Sequence, residues 1–460
     1  MRILSTLTIL FLTSFIISAQ NVKEIKPVQT EFSDKEVEVH FEGFTPQPVA
    51  CVPTALRTKM LKGVEKEIAS LRKKGKLSID KNPSLKNAGS FQWPLRASDD
   101  YDDCGYYSVF QYFDHNPTFG AVQDWNCGGI TYDVPGYNHS GIDIGIAPFA
   151  WNMMNDNSVE VIAIADGQII QKGDGFFDME CSASTLDWNF LIVQHPDGTF
   201  AMYGHMKSGT VTSLEVGDQI STGDYIGIVG SSGASTGPHL HLEILDQTFA
   251  SIDPYAGPCN NQISSSLWAD QHDYHDRGVN SVRTHSAPPN NNTCPSLETT
   301  NEQVVFEPGS QVYLGSYIRH AIPTDTYTVT MKRPDGSVFW TTNHTPNNFF
   351  ASYMFYFSLF VPSSEQTGQW TLDLQSSYGD ACSSAFIIGN CDSDLTLSLP
   401  VVPTGAQVKQ EAANSIISTA VIGEQSDVVY DAGNCVELQP GFEVKQSALF
   451  EAFLDGCGGQ

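Results

Sequence analysis

Gly237-Pro238-His239-Leu240-His241-Leu242-Glu243 alternates polar and apolar side chains. A period of two marks a strand, so His239 and His241 share one face while Leu240 and Leu242 share the other. A second segment, Asn138-His139-Ser140-Gly141-Ile142-Asp143, sets a histidine and an aspartate four residues apart. Gly141 and Gly145, with the β-branched Ile142 and Ile144, favour extended chain over helix, so His139 and Asp143 also point to one side. His139, Asp143 and His241 together offer two nitrogens and one oxygen. Three protein ligands with a fourth position open to water suit a catalytic zinc. His239 is left over beside the metal. His205, in Tyr203-Gly204-His205-Met206, follows another β run and is placed to complete the site.

Outward from these motifs the sequence stays rich in short β runs broken by Gly, Asp and Asn. Val159–Ala165, Gln168–Gln171, Phe190–Gln194, Phe200–Tyr203, Tyr225–Val229 and Leu240–Leu245 are expected strands of a compact antiparallel β domain. The loop Gly230–Gly237 lacks the lysine of a phosphate-binding loop and leads into a strand, so it reads as a tight turn that shapes the cleft. His195 falls in a turn and reads as structural, while His272, His275 and His285 fall in a polar run and read as solvated.

The chain has 460 residues and a formal charge of −28, with 41% hydrophobic and 17% charged residues. Nucleic acid and anionic lipid are poor partners for so acidic a chain, since both need a basic footprint. Leu4–Ile17 is a short apolar run after Arg2, closed by Ser18 and Ala19, which predicts a secretory signal peptide over residues 1–19. No second long apolar run follows, so no integral membrane segment is expected after cleavage. Ten cysteines in an exported chain suggest disulfides. Cys382 with Cys391 and Cys435 with Cys457 are the simplest local pairs. None of the ten forms a CxxC pair, which argues against a thiolate zinc site.

Residues 20–90 form a leader. Leu56, Met60, Val64, Ile68 and Leu71 recur at helical spacing, predicting an amphipathic helix over 54–75 whose other faces carry Arg57, Lys59, Lys62, Lys66, Arg72, Lys73 and Lys74. The segment from His139 to Leu245 carries a net charge of −11. Charge complementarity points to docking of the basic helix on it, as an inhibitory or chaperoning propeptide or as a stabilising helix that stays attached. Residues 91–285 form the central domain, and a polar stretch near Ser286–Thr293 reads as a linker. Residues 295–392 are expected to form an immunoglobulin-like sandwich, with Pro334-Asp335-Gly336-Ser337 turning between two strands. Residues 393–460 form a small β-rich module, and no strong internal repeat stands out.

The central domain resembles the M23 family of zinc metallopeptidases, the lysostaphin-type peptidoglycan endopeptidases. The resemblance runs from His139-Ser140-Gly141-Ile142-Asp143 through Val161–Gly167, Tyr203-Gly204-His205, Val216-Gly217-Asp218 and Ile226–Gly230 to Ser235–Glu243. The insertion Asp174–Asp187 is longer than the simplest members show. The resemblance implies a lysostaphin-type antiparallel β fold, one zinc ion per chain held by His139, Asp143 and His241, and His205 and His239 as the catalytic histidines. It also implies a bacterial enzyme, secreted to the periplasm or beyond the cell, that hydrolyses peptide bonds in peptidoglycan cross-links. A protease of Gly-rich extracellular proteins is the second expectation, and a non-catalytic wall-binding or activator protein the third. The C-terminal modules are expected to bind a wall polymer or another protein.

Overall fold

The computed structural model describes residues 39–44, 49–77, 90–183, 187–290 and 294–389, together with 394–453 apart from 398–406, 413–414, 423–425, 433–434, 440 and 447. The expected signal peptide lies outside the described residues.

A mainly β architecture is observed. Its centre is an antiparallel sheet of β1 (Tyr107–Gln111), β2 (Ile142–Ile146), β3 (Gly167–Gly173), β4 (Phe190–Gln194), β5 (Phe200–Gly204), β6 (Gln219–Ile220), β7 (His239–Leu245) and β8 (Ser251–Ile252). The strand order is β6-β3-β4-β5-β7-β2-β1, with β8 against β7. Alternation along the strands sorts two apolar layers. Ile142, Ile144, Leu191, Val193, Leu240 and Leu242 belong to one core, while Ile170, Phe190, Ile192, Phe200 and Met202 belong to a second core on the opposite face. A sheet covered on both faces leaves its middle strands dry, and every residue of β7 is buried.

The leader helix α1 spans Thr54–Lys73 and provides that second cover. All five residues of its apolar stripe, Leu56, Met60, Val64, Ile68 and Leu71, are buried, each contributing roughly 1.5–3 kcal/mol relative to exposure. Docking rests on this stripe more than on the basic faces. Among the described residues, Arg57–Glu243 and the exposed Lys59–Asp187 ion pairs join the helix to the sheet domain, and exposed pairs contribute little.

The expected boundary between the central domain and the sandwich is crossed by the chain. Gly278–His285 pairs with Gln311–Ala321, in a four-stranded sheet that also holds Phe350–Phe360 and the leader strand Val39–Phe44. A five-stranded sheet faces it, and the rings of Tyr327 and Phe355 meet between the two at 5.9 Å. The turn at Pro334–Ser337 is present, with Gly336 at φ +80°. Because Gly278–His285 is a sheet strand, His285 is buried, with Nδ1 on the Thr300 carbonyl and Nε2 on the Tyr317 hydroxyl. His272 stacks on Trp93 and pairs with Asp276. Neither is solvated as the polar run suggested.

Two further expectations are corrected. Cys382 bonds Cys104, not Cys391; the other bonds found are Cys127–Cys259 and Cys181–Cys294. Linear spacing does not set connectivity, since the fold brings together cysteines 278 residues apart. Cys435 is exposed and unpaired, and its expected partner Cys457 lies outside the described residues, as does Cys391. The tail also carries a repeat that sequence reading missed. Gln407–Ala412 pairs in parallel with Asp427–Ala432, which pairs in turn with Leu449–Phe453, and Ser415–Ser418 pairs with Cys435–Leu438, at offsets of 20 to 22 residues. Successive parallel pairing at a nearly even offset is a solenoid arrangement. Few identities, among them Val408 with Val428 and Ala412 with Ala432, survive between the turns.

His320 joins the sandwich to the central sheet by donating from Nε2 to the Val109 carbonyl at 2.6 Å. Burial pushes its imidazole down to about 4 from the ordinary 6.5. A base depressed on folding leaves stability intact above the unfolded value and weakens it as pH falls toward the folded one. We expect His320 to cost about 2 kcal/mol between pH 7 and pH 5. Urea midpoints of the chain and of His320→Gln at the two pH values test this; equal pH sensitivity in both would refute it.

Candidate metal centre

The site forms where β7 lies between β2 and β5. Register places His241 across from Asp143 on one side and from Gly204 on the other. His205 follows β5 directly, at the left-handed φ of +64°, an unusual conformation for a residue with a Cβ. Gly141 is needed as glycine, since a Cβ there would stand 2.7 Å from the His241 ring. Gly204 likewise leaves room for Trp188, whose ring packs edge-on against His205.

Asp143 Oδ1 lies 3.1 Å from His139 Nε2 and 2.8 Å from His241 Nδ1. Ligands each about 2 Å from a shared zinc must be separated by about this much. The rings of His205 and His239 lie 4.6 Å apart beside the trio. Backbone carbonyls orient three of the imidazoles. His139 Nδ1 donates to the Tyr112 carbonyl, His205 Nδ1 to Ser232 and His239 Nδ1 to Gly237. A donating Nδ1–H leaves Nε2 as a lone pair. The loop Gly230–Gly237 thus supplies the carbonyls that hold both extra histidines.

The Nε2 atoms of His139, His205 and His241 are buried without a hydrogen-bond partner. Buried ring nitrogens without a partner are costly, and those of His139 and His205, left as lone pairs, call for an ion or water. Several such nitrogens converging with a carboxylate form a donor set that fits a divalent zinc. Burial alone would raise Asp143, but His139 and His241 hold its carboxyl well below the usual range. Burial pushes the His205 imidazole below its ordinary value, so it is neutral at neutral pH.

All five residues singled out by sequence come together here. Sequence reading gave no site role to Glu243, Arg57, Tyr132 or Cys51. Glu243 is fully buried, with Oε2 3.8 Å from His241 Nε2. Its Oε1 accepts from Arg57 of α1 at 2.5 Å and from Ser251. Burial would raise this carboxyl, yet His241 and the Arg57 guanidinium hold it at about 2. Tyr132 stacks on His139 at 4.6 Å. Cys51, one of the ten cysteines and given no role, is free and buried in the site, with Sγ 3.7 Å from Asp143 Oδ2 and 3.9 Å from His239 Nε2. The absence of CxxC spacing concealed it, because its neighbours in the site are distant in sequence. Glu243 alone had a signal, the third inward position of the His239–His241 alternation.

At the centre of this antiparallel sheet, imidazoles and a carboxylate form a donor set able to hold a metal ion. Residues 137–254 match the model of peptidase family M23, and the chain carries a domain of that family. An uncharacterized metalloprotease of Buchnera aphidicola is 36% identical over 76 residues, covering 16% of this chain and 19% of that one. The glycyl-glycine endopeptidase ALE-1 of Staphylococcus capitis is 31% identical over 142 residues, covering 29% and 34%. The peptidoglycan DD-endopeptidase ShyC of Vibrio cholerae is 25% identical over 150 residues, again covering 29% and 34%. The chain thus spans about a third or less of the length of these relatives.

A carboxylate that orients a ligating imidazole tunes metal affinity by about 10–100-fold. Glu243→Gln is expected to weaken zinc binding by that order, measured by competition with a chelator. Unchanged affinity would show that Glu243 does not act through His241.

Proposed function

We propose that this chain is a secreted zinc metalloendopeptidase that cleaves peptide bonds in peptidoglycan cross-links. The observation that carries this is the convergence of His139, Asp143 and His241, with His205 and His239 beside them, at one buried point of the sheet. The relatives named as peptidoglycan and glycyl-glycine endopeptidases support the substrate class.

In this reading His139 Nε2, Asp143 and His241 Nδ1 hold the zinc. When bound, the metal supplies a polarised scissile carbonyl and a water acidified toward a pKa of about 7. Each residue has a share of the remaining work. Glu243, with Oε2 3.8 Å from His241 Nε2, sets a carboxylate charge on the far side of the ring from Nδ1, the nitrogen that faces Asp143. His205 and His239, with Nδ1 tied to carbonyls, present Nε2 to the reacting atoms. Between them they take up a proton during attack and return one to the departing amine. The −11 charge of the His139–Leu245 segment favours neutral or cationic peptides. Three disulfides accord with an exported protein. Among the described residues no helix is long and apolar enough to cross a membrane. The sandwich and the solenoid are proposed to hold the enzyme on a wall polymer or a protein.

Two variants test the assignment. His241→Ala should lose its zinc and its turnover together. His205→Ala should keep its zinc and lose a factor of about 10²–10⁴ in rate. Metal analysis and release of free amines from purified peptidoglycan give the two readouts, with an elastin-like polypeptide as the competing substrate. Zinc retained by His241→Ala, or an unchanged rate in His205→Ala, would overturn the roles. Cleavage of the polypeptide alone would overturn the substrate.

A further inference from the structure

We propose that Cys51 is a ligand of the metal centre supplied by the leader, which keeps the peptidase latent until the thiol is displaced. The inference rests on the zinc peptidase reading and adds its regulation.

Position comes first. Cys51 Sγ can share an ion with His205 and His239, or with Asp143 and His241, since in either group all ligand atoms lie within 4.8 Å of one another. His139, Asp143 and His241 make three protein ligands, and a catalytic site of that kind needs its fourth position open. Cys51 Sγ groups with Asp143 and His241 of that trio and would take the open position. Sulfur is also the softest donor the chain can bring to zinc, and it binds as thiolate. Coordination therefore displaces a water and releases the thiol proton; departure of the sulfur takes back one of each.

Surroundings come next. A cysteine that merely fills an apolar core meets hydrocarbon. Cys51 meets the Tyr132 hydroxyl at 3.0 Å, the Asp143 carboxylate and the His239 imidazole. It carries no disulfide, although six other cysteines in the described chain do.

Access is the third argument. Cys51 and Val52 pack with Tyr132, Tyr137 and Trp188, and His139, His205 and His241 are left with no exposure at all. A peptide substrate cannot reach those imidazoles while residues 51–52 stay in place. What holds them is α1, which begins at Thr54 immediately beyond Pro53. Its apolar stripe seals the sheet, and Arg57, six residues from Cys51, clamps Glu243 and Ser251. The segment that delivers the sulfur thus also grips the carboxylate beside His241, so cover and ligand are one device.

The test uses the full chain with Co²⁺ in place of zinc. A thiolate ligand gives cobalt an intense near-ultraviolet charge-transfer band, which nitrogen and oxygen ligands do not. We expect the band in the unaltered chain and in a Cys435→Ser control. It should vanish in Cys51→Ser at equal cobalt content. With zinc restored, Cys51→Ser should release amines from peptidoglycan on the order of tenfold faster or more, as a mostly closed population becomes open. Cobalt bound to the unaltered chain without the band overturns the proposal, and this spectrum needs no variant to fold. A band that survives in Cys51→Ser, or equal hydrolysis by the two chains, overturns it as well. Failure of either chain to bind cobalt removes the ligand set and the proposal together. The expected band with no amine release from any chain upholds the Cys51 ligand and refutes the peptidoglycan assignment instead.

Discussion

Everything at the site depends on the register of β7 between β2 and β5. That register puts His241 opposite Asp143 and Gly204, and carries His239 to the same face two residues earlier. A slip of one residue would turn both imidazoles into the layer of Leu240 and Leu242 and expose those leucines to the site. Burial of the leucines in the core therefore holds the histidines in place. The cost of this arrangement is a group of dry lone pairs, which a cation would satisfy.

A sheet of this kind has two faces to cover, and the chain covers them with different material. Local loops and a three-stranded sheet close one. The leader closes the other, through a helix whose stripe is apolar and whose flank carries Arg57. The same cover buries the imidazoles. Stability of the sheet and accessibility of the site are thereby opposed, since uncovering one exposes the other.

The accessory modules are joined to the sheet domain by more than a linker. Cys104–Cys382 ties the chain just before β1 to the sandwich, and His320 and Ser108 exchange hydrogen bonds with backbone across the junction. The leader strand Val39–Phe44 enters the sandwich sheet as well. One stretch of chain therefore touches both the putting-together of the sandwich and the cover of the site.

Periodicity alone was enough to identify α1, most strands of the central domain and the shared face of His239 and His241. These are local properties, set by side chains two to four residues apart, so they survive in any reading of the sequence. The HxxxD and HxH spacings likewise placed ligand types on common faces before any contact was known. Contacts between distant segments were not legible. The Cys104–Cys382 bond, the entry of Gly278–His285 into the sandwich sheet and the burial of His285 follow from strand pairing across long separations. The solenoid repeat was hidden because its turns share inward positions more than residue identities. Cys51 and Arg57 reach the site only because α1 packs its apolar stripe on the sheet. Sequence by itself determined which residues could do the chemistry. The tertiary structure decided which of them meet, because packing on the two faces of one sheet selects neighbours that spacing along the chain does not encode.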